Sequence, residues 1–150
     1  MTDTAEIEIR REWMGVLARS SVHVLEERWR LLDRRPAYCF IRKPETGMVM
    51  VRGRMGGTGS PFNMGEMTLT RCTVKTDEGY AGTAYVQGRN HRHAELAAVL
   101  DALLQDRARR PMLMEQVIAP ARTVLAATQS MENEQAAKTK VDFFTMVRSE

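Results

Sequence analysis

The chain has 150 residues, of which 43% are hydrophobic and 27% charged, and its formal net charge is +3. That length closes around one core without staples, and the composition excludes disordered and fibrous classes. No apolar run reaches the roughly 20 residues of a membrane span. The charged first twenty residues lack the apolar stretch of a secretory signal, so a cytoplasmic location and no membrane partner are expected. Cys39 and Cys72 are the only cysteines, and both are expected as reduced, buried strand thiols.

From the N-terminus, Ile9, Trp13, Val16 and Leu17 fall at helical spacing. A second helix is predicted from Val22 to about Arg34, capped by Ser21, with Leu25, Trp29 and Leu32 as its apolar stripe and Pro36 beyond it. Then the period changes. Tyr38–Arg42 and Met48–Arg54 read as two strands joined by a turn at Pro44-Glu45-Thr46-Gly47. In the second of them Met48, Met50, Arg52 and Arg54 share one face, and Val49 and Val51 the other. An irregular Gly-rich stretch covers 56–65, and residues 66–87 read as a hairpin turning at Asp77-Glu78-Gly79. Asn90 caps a helix from His91 to about Ala108 with Leu96, Val99, Leu100, Leu103 and Leu104 inward. Pro111 suits a helix start, Pro120 interrupts the helical run, and Val141–Val147 forms an apolar tail. The expected fold is a single α+β domain over 1–150: N-terminal helices, a four-stranded antiparallel sheet, C-terminal helices and the tail.

The Gly-rich stretch admits two readings. Its backbone N–H groups suit an anion, and Arg54 and Arg71 flank it. Its spacing differs from a P-loop, which needs a lysine and a following helix, so a plain hairpin connection stays open. Gly88-Arg89-Asn90-His91-Arg92-His93 is a second basic, N–H-rich turn at a helix start. His91 and His93 stand two apart and share no helical face, so no metal site is expected. No residue set reads as a nucleophile with its base, and no catalytic residue is assigned. Eleven methionines, several around the Gly-rich stretch, serve either as core filling or as adaptable interface surface. Phe143, Phe144 and Met146 in the tail need a cover, on this chain or on another subunit.

Arg54-Met55-Gly56-Gly57-Thr58-Gly59, Pro61-Phe62-Asn63, Gly65-Glu66 and Thr70-Arg71 together resemble the PhnG family. So do Trp13-Met14, Glu45-Thr46-Gly47, Gly88-Arg89, His93-Ala94-Glu95, Asp101-Ala102-Leu103 and the run Val141–Arg148. Asn90 stands where many members carry aspartate. The resemblance implies the G subunit of the bacterial carbon–phosphorus lyase core complex. Such a subunit works with the H, I and L subunits to move the ribose triphosphate of ATP onto methylphosphonate, releasing adenine. It implies binding chiefly to the I subunit, with H, J and L in the same system and a second copy in a two-fold core. It implies no cofactor of its own, ATP and methylphosphonate being substrates of the complex. On that view Arg54, Gly56, Gly57, Thr58, Gly59, Arg71, Arg89 and His93 line or support a phosphate-bearing ligand site or an interface, and Phe143, Phe144 and Met146 meet a partner. The rival reading is a free-standing, arginine-rich nucleotide- or nucleic-acid-binding protein without catalysis. It is disfavoured because no nucleic-acid module is recognisable and acidic residues nearly balance the basic ones.

Overall fold

A computed structural model describes the backbone of residues 2–148 and the side chains of residues 3–138. Two helices, α1 (Thr2–Arg19) and α2 (Val22–Leu31), precede three strands, β1 (Tyr38–Arg54), β2 (Pro61–Thr76) and β3 (Ala81–Gln87). Helices α3 (His91–Leu104), α4 (Arg110–Leu113) and α5 (Ala119–Arg148) follow, the last two joined by a π-helical turn at Met114–Ile118. The expected caps are in place: Ser21 Oγ accepts from the Val24 N–H at 3.3 Å, and Asn90 Oδ1 accepts from the His93 N–H at 3.0 Å.

The sheet is antiparallel in the order β1-β2-β3, with three strands rather than the expected four. The correction lies at Pro44–Gly47, which is no turn. β1 runs straight through it, and the surplus residues are absorbed by register shifts between Phe40 and Arg42 and between Arg42 and Glu45. Pro44 is tolerated because β1 is an edge strand, where a missing N–H need cost no ladder bond. Likewise, Pro61–Gly65 belongs to β2 rather than to an irregular loop.

α3 packs across all three strands, and α1 lies against α3 and β3. Alternation on β2 and β3 puts Thr70, Cys72, Val74, Ala84 and Val86 under α3, where they meet Leu96, Val99, Leu100, Leu103 and Leu104. Trp13, Val16, Leu17, Leu25, Trp29 and Leu32 complete that core from α1 and α2, whereas Ile9, expected inside, is exposed. Pro120 does not end the helical run. Its ring would clash with a carbonyl one turn earlier, and the wider π turn sits where that clash would fall. α5 is 30 residues long, about 45 Å at ~1.5 Å per residue. Phe143, Phe144 and Met146 lie outside the residues whose side chains are described.

One buried polar network binds the layers. Asp101 on α3 is fully buried and accepts from Arg10 Nη2 at 2.9 Å, Trp13 Nε1 at 2.8 Å and the Thr83 N–H at 3.0 Å. A single carboxylate therefore ties α1, α3 and β3, which satisfies the requirement that a buried charge be paired and hydrogen-bonded.

Candidate functional site

β3 ends at Gln87, opposite Leu69, so β2 from Pro61 to Thr68 pairs with β1 alone. The paired segments Met48–Arg54 and Pro61–Thr68 thus leave the body as a two-stranded arm. From Met48 to Arg54 the arm extends about 20 Å at ~3.3 Å per residue. Its faces follow the alternation expected from the sequence. Thr46 stands opposite the inward-facing Thr70, so Met48, Met50, Arg52 and Arg54 continue that side. Gly47, Val49, Val51 and Gly53 form the other, facing Leu69, Met67, Gly65 and Phe62. The register slips by one residue at Met64, and its side chain folds over Gly53, where an added Cβ would meet Sδ at 2.5 Å. Met48 (60%), Met50 (53%), Met64 (64%) and Phe62 (43%) are exposed, so these methionines do not fill the core.

The Gly-rich turn caps the arm. Gly56 and Gly57 have φ of 60° and 82°, a region in which residues with a Cβ are strained. At Gly59 a Cβ would meet the Met55 carbonyl oxygen at 2.7 Å, the atom that accepts the Gly59 N–H at 2.8 Å. Chain reversal therefore accounts for all three glycines. Arg52 and Arg54 make no ion pair among the described residues.

A second group gathers at the arm's base. Glu45 and Arg71 pair across β1 and β2, with Nε 2.7 Å from Oε1. Next to them the Thr46 and Thr70 hydroxyls are 3.1 Å apart, and Thr70 Oγ1 donates to the Gly88 carbonyl at 2.6 Å. Since that uses the only Thr70 proton, Thr70 accepts from Thr46 and from the Asn90 N–H at 3.3 Å. Thr46 in turn accepts from His91 Nε2 at 3.3 Å. Arg89 is exposed beside this corner, while His93 is buried with Nε2 2.9 Å from the Leu17 carbonyl. The candidate residues therefore form two groups within this chain. Arg54 and Gly56–Gly59 are at the tip, whereas Arg71, Arg89 and His93 are at the base, and Arg54 and Arg71 do not converge.

Two further networks join residues that the sequence leaves far apart. Arg92 bonds Glu26 and, at 3.1 Å, Glu95, which also accepts the Tyr38 hydroxyl at 2.7 Å. Burial, reinforced by that Glu95 bond, pushes the Tyr38 phenol up to about 12. Asp101 stood in the sequence as part of the family-like run Asp101-Ala102-Leu103, with nothing there to mark Arg10, Trp13 and Thr83 as its partners. Of the thiols, Cys72 is buried, and burial raises it to about 11, but Cys39 is exposed, contrary to expectation. No group of three potential metal ligands occurs among the described residues, and no described helix is long and apolar enough to cross a membrane.

The architecture defines a two-layer α+β protein that presents an apolar hairpin arm from an ordered polar base. The family model described as "Phosphonate metabolism protein PhnG" matches residues 8–149, and the chain belongs to that family. It is 44% identical over 152 residues to the alpha-D-ribose 1-methylphosphonate 5-triphosphate synthase subunit PhnG of Rhizobium meliloti (strain 1021), covering 99% of this chain and 95% of that one.

Proposed function

We propose that the chain is the G subunit of an α-D-ribose 1-methylphosphonate 5-triphosphate synthase in the carbon–phosphorus lyase system. It acts with the H, I and L subunits in transferring the ribose triphosphate of ATP to methylphosphonate, and adenine leaves. Its chief contact is the I subunit, with J in the same core and a second copy of this chain across a two-fold axis. The observation that carries this reading is the 44% identity to the Rhizobium meliloti subunit over nearly the full length of both chains.

The chain brings no cofactor, and ATP and methylphosphonate are substrates of the complex. Its contribution is positional. Arg54 with Gly56, Gly57, Thr58 and Gly59 at the arm's tip offers a cationic turn, and Arg89 offers another beside the base. Each supports a phosphate-bearing ligand at a subunit boundary. Arg71, through Glu45, and His93, through Leu17, hold that base in shape.

The test is adenine release from ATP and methylphosphonate by the H, I and L subunits with and without this chain. Release that needs this chain supports the reading, and equal release without it overturns the reading. If Arg54→Ala and Arg89→Ala each leave assembly and adenine release unchanged, the ligand role of the two cationic turns is wrong.

A further inference from the structure

Between Thr46 and Gly65 the only charged residues are Arg52 and Arg54. Both are exposed, and neither has an ion-pair partner among the described residues. They stand two residues apart on one face of β1, about 7 Å at ~3.3 Å per residue. Across the ribbon they face Asn63 and Pro61, which carry no charge. Glu66, the nearest acid in the register, lies opposite Met50 and pairs with neither. The cation at the base is already answered, Arg71 by Glu45, and Arg54 is about 30 Å along β1 from Glu45 at ~3.3 Å per residue. The far half of the arm is therefore a cation pair held well clear of the body with nothing on this chain to neutralise it.

We infer that Arg52 and Arg54 together bind the triphosphate of the ribosyl donor, carried by the arm to a site that another subunit completes. The inference rests on the subunit reading above, narrows its phosphate-bearing ligand to one group and adds Arg52 to the residues that hold it. Charge density selects that group. A guanidinium grips phosphate oxygens through two parallel N–H···O bonds. A triphosphate offers several ionised groups in a row, enough for two arginines on alternate strand positions, whereas a phosphonate or a single phosphate satisfies one. With no acid beside them, the pair's field extends outward over roughly a Debye length, about 8–10 Å, and draws a polyanion in. Lasting contacts between subunits instead deplete charge at their centre. A ribbon two strands wide is flat and touches the anion from one side only. The sugar and base must then be held by a different chain, and the reach of the arm is what brings the two halves of the site together.

The experiment follows adenine release by the full chain with the H, I and L subunits, comparing wild type with Arg52→Gln/Arg54→Gln. Both side chains are exposed and unpaired, so the variant's melting and the native mass of its complex are expected to match wild type. KM for ATP should rise so that kcat/KM falls roughly 100-fold, with about 10-fold for either single change, while KM for methylphosphonate holds. Inorganic tripolyphosphate should inhibit the wild-type complex and lose that inhibition in parallel, and Arg52→Lys/Arg54→Lys should recover part of both. Arg35→Gln/Lys75→Gln removes the same charge from exposed positions of the body and should change neither. Adenine release that is the same without this chain overturns the subunit reading itself. A double variant that assembles and keeps its KM for ATP and its inhibition by tripolyphosphate overturns the triphosphate inference alone. A double variant that fails to assemble overturns it in favour of carboxylates on another subunit, and an equal effect from the body control reduces it to net charge.

Discussion

Glu45 and Arg71 stand opposite each other where the arm meets the body, with Nε and Nη2 of the arginine each 2.7 Å from Oε1 of the acid. Both side chains are about half exposed, so the pair contributes at most about 1 kcal/mol. Its importance is register. Two shifts precede Glu45 in β1, and a slip of one residue would exchange the apolar and the mixed faces of everything beyond. The pair and the adjoining Thr46–Thr70 contact fix the alternation that carries Val49 and Val51 to one side and Met48 and Met50 to the other.

Thr70→Val tests that corner. The substitution keeps the shape but leaves the Gly88 carbonyl and the Asn90 N–H without their hydroxyl partner. A loss of about 1–3 kcal/mol in urea unfolding is expected. Thr46→Val should cost less, because its partner His91 is exposed and can turn to water. Equal losses would show that Thr70 is not the hub.

Asp101→Ala removes the acceptor for Arg10, Trp13 and Thr83 at once. Arg10 is partly exposed, but the Trp13 and Thr83 donors stay enclosed, so about 3 kcal/mol or more is expected. Calorimetry should show Tm falling by on the order of 10 °C. A shift within a degree or two would mean that water replaces the carboxylate.

Much of the body was legible because its signals are local. Ser21 and Asn90 declared helix starts, and the Leu96–Leu104 stripe declared the face of α3 that the sheet covers. The strand count failed at Pro44–Gly47 because proline and glycine signal a turn in sequence, whereas bulges on an edge strand accept the same residues. The family strings around Glu45, Thr70 and Gly88 lie far apart in the chain, and only the β1–β2 pairing and the β3–α3 corner bring them together. The separation of Arg54 from Arg71 was illegible for the same reason. Both flank one Gly-rich stretch in sequence, but the second half of that stretch is strand and carries Arg71 back to the base.

Glycine substitutions separate crowding from mere placement. At Gly82 a Cβ would collide with the Ala98 carbonyl oxygen of α3 and come within 2.6 Å of the Ala102 nitrogen, both backbone atoms that cannot step aside. Gly82→Ala should therefore push α3 from β3 and cost about 1–3 kcal/mol. Gly47→Ala meets nothing within 4 Å and should leave the melting curve in place. A neutral Gly82→Ala would show that the helix and sheet approach less closely.

The two thiols should differ in reaction with an aromatic disulfide at pH 8. Cys39 is exposed and should react in the folded chain. Cys72 lies under α3 with its thiol raised to about 11, so it offers neither access nor thiolate. One equivalent is expected from folded protein and two after denaturant. Cys39→Ser should abolish the first phase only.

Acid should loosen the junction of α2 and α3. The hydrogen bond from Arg92 holds the Glu26 carboxyl below its ordinary value of 4.5, with Coulomb attraction from Arg92 and Arg30 adding to it. A carboxyl whose pKa falls on folding binds protons more readily in the unfolded chain. Its contribution is therefore complete above about pH 5 and disappears as pH falls through the lowered folded value. Both partners keep substantial contact with water, which holds the effect under about 1 kcal/mol. Glu26→Gln should accordingly lower stability slightly at pH 7 and approach wild type on acidification. Urea titrations at pH 7, 5 and 3 would read the converging curves, and a constant gap between them would place the acid sensitivity elsewhere, with the similarly lowered Glu6 beside Arg110 as the next group to substitute.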